Sequence, residues 1–161
     1  MLRRLIVISG AWAALAMVGF PQEGPGVSAP DAIAARQASL DMSSITYRAM
    51  GDAMKAGREA KSQSYPAAAL AKWAKALPRM FPTGTGKGET TTNSQALAAI
   101  WRDRAGFDRA AANYADATVR LAALAAANDT TGFTRQLEEV DKACRSCHAS
   151  YKDGAAGPPI K

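Results

Sequence analysis

Apolar residues recur along this chain at steps of three and four, and no stretch alternates in the way a half-buried strand would. Four such runs stand out. The first predicts a helix from Asp31 to Lys55 and carries two stripes. Ile33, Gln37, Leu40, Ser44, Tyr47, Gly51 and Met54 form one stripe; Ala38, Met42, Ile45, Ala49 and Ala53 form the other. A helix with two such stripes buries more than one face, so one is expected to meet the core and the other a second copy of the chain. Pro66 opens a second helix that ends near Leu77, with Leu70, Trp73 and Leu77 inward, before Pro78 and Pro82. A long third helix is expected from Ser94 to Ala127, carrying Leu97, Ile100, Trp101, Phe107, Tyr114, Leu121 and Leu124. Asn128-Asp129-Thr130 then supplies a turn and an N-cap. The fourth helix runs to Tyr151 along Phe133, Leu137, Val140, Cys144, Cys147 and Tyr151. The pattern predicts an all-α, antiparallel four-helix bundle.

Composition supports helix, since alanine is abundant and several Ala-rich stretches lack β-branched runs. The 161 residues suit one domain, read as 30–161. Residues 1–29 read as a signal peptide and flexible lead-in. Arg3 and Arg4 are followed by an uncharged run from Leu5 to Phe20, then a Pro/Gly-rich stretch. Ala14-Leu15-Ala16 and Val27-Ser28-Ala29 are both possible cleavage sites, and an uncleaved anchor is the alternative. The expected location is the periplasm. The formal charge of +6 includes Arg3 and Arg4, and no basic tract gathers the remaining Lys and Arg. Nucleic acid is therefore not an expected partner. The loop Pro82 to Gly88 lacks the G-x-x-x-x-G-K-S/T spacing of a phosphate-binding loop.

The chemistry sits near the C-terminus. Cys144-Arg145-Ser146-Cys147-His148 contains both cysteines and the one histidine of the protein. C-x-x-C-H is the attachment signature of c-type haem. Thiols three residues apart lie on one helix edge and can form thioethers with the two vinyl groups. The next residue, about 100° round the helix, can offer an imidazole nitrogen to the iron. Two cysteines and one histidine fall short of the four ligands of a structural zinc site. No βαβ context supports a thioredoxin-like dithiol. Because both cysteines fall on the apolar stripe, the haem is expected in the bundle interior.

With these residues in place, the chain resembles the cytochrome c′ family. Ala35-Arg36-Gln37-Ala38-Ser39-Leu40 matches the start of that family's first helix, and Ala76-Leu77-Pro78 with Phe81 matches the step before its loop. Ile100-Trp101 with Phe107 matches its third helix, and Cys144-x-x-Cys147-His148-x-x-Tyr151-Lys152 its fourth. The resemblance implies one covalent haem c held by Cys144 and Cys147, with His148 as axial iron ligand. It implies propionate contacts from Arg36 and Gln37, a distal pocket at Leu40 and a haem border at Phe81. Low-spin relatives carry methionine where this chain has Leu40, which cannot ligate. Met42 is roughly 200° round the helix from Leu40 and faces away. Met50, Met54 and Met80 read as core or interface filling. A five-coordinate, high-spin iron follows, with no evident hydrogen-bond donor on its distal side. The expected activity is binding of nitric oxide or carbon monoxide and single-electron transfer with an unidentified redox partner protein, as a homodimer. The alternative is a low-spin, Met-ligated electron carrier on the same bundle. No catalytic acid or base set is evident, so an enzyme is not expected. Lys152 keeps a positive charge one turn past His148.

Overall fold

The computed structural model describes residues 26–154. The expected signal and lead-in therefore lies outside the described residues except for 26–29, and so does the tail beyond Gly154. The first helix, α1, spans Ala29–Lys55 and starts two residues before the expected Asp31. Ser28 is its N-cap, accepting from the Asp31 amide at 3.3 Å, and Pro30 sits in the first turn, where its missing N–H costs nothing. A one-turn 3-10 helix, Ala60–Gln63, leads into α2, Ser64–Ala76. A second such turn, Leu77–Met80, follows it. After a long irregular segment come α3, Ala99–Arg102; α4, Arg104–Ala126; and α5, Thr130–Tyr151.

The long helices α1, α2, α4 and α5 are the four that periodicity predicts. The continuous third helix over 94–127 is not observed. Residues 94–98 are irregular, and the chain breaks at Asp103, whose φ of −117° and ψ of 58° leave the helical region. The break has a local cause. Asp103 caps α4 by accepting from the Gly106 amide at 3.0 Å. Asp129 caps α5 in the same way, from the Gly132 amide at 2.8 Å, as expected for the Asn128-Asp129-Thr130 turn.

Helix α4 packs along both α2 and α5, whereas α1 leans on α2 and touches α5 over a shorter stretch. Buried alanines, Ala67 and Ala74 on α2 with Ala117 and Ala125 on α4, let those backbones approach closely. The main core adds Met50, Leu70, Leu121, Phe133, Leu137 and Val140. A smaller cluster of Ala96, Ile100, Phe107 and Tyr151 closes the end that carries the C-x-x-C-H motif. The inward stripe of α1 differs from expectation at two positions, Met50 being fully buried where Gly51 was expected. Gln37 is exposed and Arg36 is buried, so the stripe runs Ile33, Arg36, Leu40, Tyr47, Met50 and Met54. An arginine with every neighbouring acceptor in reach can occupy a core position that hydropathy alone denies it. The second stripe remains uncovered, with Met42 61% and Ile45 60% exposed.

Candidate functional site: a C-x-x-C-H helix end between two apolar clusters

The last two turns of α5 present Cys144, Cys147 and His148, all half-buried. The two sulfurs are not joined to each other and face different neighbours. Cys144 packs against the main core with Leu40, Tyr47 and Phe81, and Cys147 against the smaller cluster with Phe81 and Trp101. Phe81 belongs to both groups, so it marks the seam at which the thiols meet. Burial, with the Asp141 charge, pushes the Cys144 thiol up to about 12, and burial raises Cys147 as well. Burial first, and the Lys152 charge second, pull His148 below its ordinary value. The imidazole is therefore neutral at pH 7, the form that ligates a metal.

A set of tethers fixes the end of this helix. The Leu97 amide donates to the Tyr151 carbonyl at 3.0 Å, and the Asp153 amide donates to the Gln95 carbonyl at 2.8 Å. Lys87 pairs with Asp153 at 2.5 Å. Tyr151 Oη donates to Asp103 Oδ2 at 3.0 Å, joining the cap of α4 to the last turn of α5. Tyr151 also packs edge-on against Phe107, which in turn meets Phe81.

Arg36 organises the loop on the other side. It is only 2% exposed, and its guanidinium stacks 4.5 Å over the Phe81 ring. Nη1 donates to the Thr85 hydroxyl at 2.9 Å and the Met80 carbonyl at 3.3 Å. Nη2 donates to the Thr85 carbonyl and the Ser94 hydroxyl, both at 3.0 Å. Gln37 Nε2 donates to the Asn93 carbonyl at 2.8 Å. Both residues thus hold the 80–94 loop over the site, a role that sequence reasoning did not assign them. The signal was present in the loop's Thr85 and Ser94, but nothing local connects them to Arg36.

Leu40 and Phe81 lie in the same cluster as Cys144, as expected. Met42 points outward, Met50 is fully buried and Met54 packs on the core. Sequence reasoning missed the polar content of the interior. Tyr47 Oη donates to the Leu137 carbonyl at 3.0 Å, and the buried Tyr114 meets the Trp73 ring edge-on, with centroids 6.0 Å apart.

Among the described residues no group of three or more His, Cys, Asp or Glu side chains could enclose a bare metal ion. Two thiols and one imidazole on an apolar seam fit a planar, apolar group that is tethered twice and ligated once.

The cytochrome C' family model matches residues 31–152. The chain belongs to the cytochrome c′ family. It is 30% identical over 118 residues to a cytochrome c′ of Rhodospirillum rubrum, covering 73% of this chain and 78% of that protein. It is 31% identical over 101 residues to a cytochrome c-554 of Cereibacter sphaeroides, covering 63% and 61%. The crystal structure of cytochrome c′ from Rubrivivax gelatinosus superposes with a TM-score of 0.69 at 25% identity, over 78% of this chain and 97% of that one. A nitric oxide complex of a mutant cytochrome c prime from Alcaligenes xylosoxidans shares the fold, with a TM-score of 0.69 at 23% identity and the same coverage. The cytochrome c′ family binds haem c covalently, and Cys144 and Cys147 fit its attachment motif. The four-helix bundle is the family's architecture.

Proposed function

We propose that this cytochrome c′ is a periplasmic, high-spin haem protein that binds nitric oxide or carbon monoxide and carries single electrons. Cys144 and Cys147 would hold the haem and His148 would ligate its iron. The bound group would supply one-electron redox chemistry and one open coordination position. The observation that carries the reading is Leu40, which stands in the α1 wall of the Cys144 cluster and bears no ligand atom. Met42, the nearest methionine in sequence, is turned to solvent, and the chain has no second histidine. Leu40 also crowds the slot and would admit only small ligands.

The flanking residues serve this role. Arg36 and Gln37 lie on the first turns of α1; with its Nη donors held by the 80–94 loop, Arg36 would act on the propionates through its charge, and the exposed Gln37 carboxamide could donate to them. Phe81 would border the haem face. The uncovered Met42 and Ile45 on α1 support a homodimer. Among the described residues no helix is long and apolar enough to cross a membrane. The basic, apolar N-terminal segment supports export. Nitric oxide binding in a solved relative agrees with the reading.

An optical spectrum of the purified, exported protein, before and after nitric oxide, tests it. The expected spectrum is high-spin, with new bands when the gas is added. Sharp low-spin bands with a methionine–iron charge-transfer band, unchanged by the gas, would establish the Met-ligated electron carrier instead.

A further inference from the structure

Charge is spread unevenly over this fold. Between residues 60 and 102 stand six cations, Lys61, Lys72, Lys75, Arg79, Lys87 and Arg102, against a single carboxylate, Glu89. The rest of the described chain is balanced, with eleven cations and twelve carboxylates. Along the chain the six lie too far apart to form a basic tract, but the fold gathers three of them. Lys75 lies in the last turn of α2, and Arg79 follows one turn later. Arg104 Nη2 donates to the Pro78 carbonyl at 3.0 Å and Trp101 Nε1 to the Phe81 carbonyl at 3.2 Å, so residues 101–104 lie against 78–81. Arg79 and Arg102 therefore flank one corner, and Lys75 extends it along α2, with Lys72 behind it.

Lys72, Lys75, Arg79 and Arg102 are all exposed, and none has an ion-pair partner among the described residues. The nearby carboxylates are engaged elsewhere. Glu89 accepts from the Gly86 amide, Asp103 from the Gly106 amide and the Tyr151 hydroxyl, and Asp108 pairs with Arg104 at 2.9 Å. Four like charges on one face raise the local potential, which an oppositely charged partner would lower. The corner is also well tied, by the two carbonyl bonds and by Arg36 on Met80 and Thr85, so docking would order little that is not ordered already. It adjoins Phe81, the ring that packs with both thiol clusters. No large apolar side chain between 66 and 118 is exposed, so this face offers no wedge for a lipid bilayer.

We propose that this basic corner, Lys75, Arg79 and Arg102, docks the redox partner, a protein that presents a cluster of Asp and Glu around its own redox centre. Charge complementarity would steer that partner to the Phe81 edge. One electron then passes between its centre and the haem, and no bond or proton changes hands. The inference rests on the proposed electron-carrying role.

The test follows reduction of the ferric holoprotein by stopped flow with two one-electron donors. One is reduced plant-type ferredoxin, an acidic iron–sulfur protein; the other is hexaammineruthenium(II), a small cation. The ferredoxin rate is expected to fall as salt is raised, while the ruthenium rate holds or rises. Lys75→Gln/Arg79→Gln/Arg102→Gln should slow ferredoxin about ten-fold at low salt and leave ruthenium no slower. Arg58→Gln/Arg120→Gln/Arg135→Gln removes the same charge from exposed sites at the other end of the bundle. It should cost ferredoxin no more than about two-fold. Equal slowing by both triple variants would overturn the inference, because net charge alone would then account for it. If the corner variant does not retain haem, the wild-type salt dependence decides, and a ferredoxin rate that ignores salt overturns it. Pelleting with phosphatidylglycerol vesicles that the corner variant loses, with its ferredoxin rate unchanged, would assign the face to a membrane and overturn the inference as well. Failure of both donors to reduce the haem defeats the electron-carrying reading and this inference together.

Discussion

A single guanidinium shows how one residue can set the shape of a site. Arg36 is a buried cation with no carboxylate partner among the described residues, and burial pulls its pKa down. It stays in the core because four loop acceptors and the Phe81 face take up its donors and charge. Arg36→Ala would leave the Thr85 and Ser94 hydroxyls and two carbonyls without that donor. The expected loss is about 2–4 kcal/mol in urea unfolding of the holoprotein. Arg36→Lys is expected to recover less than half of it, because one ammonium cannot span a planar fork. An unchanged urea midpoint for Arg36→Ala would show that water replaces the guanidinium at no cost. Leu40 allows a second prediction at this scale. Leu40→Met adds a thioether in the α1 wall and is expected to convert the spectrum from high-spin to low-spin, with weaker nitric oxide binding. A spectrum that stays high-spin would place this side chain off the iron axis.

At the scale of elements, the end of α5 is held from three sides: by the 87–97 segment, by Asp103 at the start of α4, and by Phe107 packed on Tyr151. Asp103 does two jobs, since one oxygen caps α4 and the other accepts from Tyr151. Asp103→Ala is expected to lower stability by about 1–2 kcal/mol, and Asp103→Asn by less, because the amide oxygen still caps. Helix α1 is tied to α5 by the Tyr47 phenol, whose pKa is raised from 10.0 to about 12, by burial first and by the Asp141 charge second. The folded state thus holds this proton more tightly than the unfolded chain does. Its stabilisation is full below pH 10 and disappears as pH rises through about 12. Urea unfolding from pH 9 to 12 should show that decline. Tyr47→Phe should flatten it in part, with Tyr114, also shifted upward by burial, accounting for much of the rest. A wild-type curve that is flat across this range would mean the phenols ionise freely in the fold.

At the scale of the whole molecule, the uncovered stripe on α1 borders a groove formed with α2, in which Ser39, Ser43 and Thr46 sit among the apolar Ala38, Met42, Ala69, Leu70 and Trp73. A second copy of α1 would cover these apolar side chains. Ile45→Glu is therefore expected to turn a dimer into a monomer in sedimentation at micromolar concentration, with the haem spectrum unchanged. A monomeric wild type under the same conditions would remove the dimer from the proposal.

The amino-acid sequence by itself determined what depends on neighbours within one helical turn. The four long helices follow from periodicity and the α5 cap from Asp129. The haem attachment motif and the missing methionine at Leu40 are read directly from residue order. What only the tertiary structure decided involves partners far apart along the chain. Arg36 is buried by acceptors 44 to 58 residues away, and the 87–97 segment ties to α5 instead of joining the third helix. Tyr47 reads as one more aromatic core position until the fold sets the Leu137 carbonyl of α5 against its hydroxyl. Periodicity records which face of a helix is apolar, but a polar atom on that face acquires its role from whatever another helix sets opposite it.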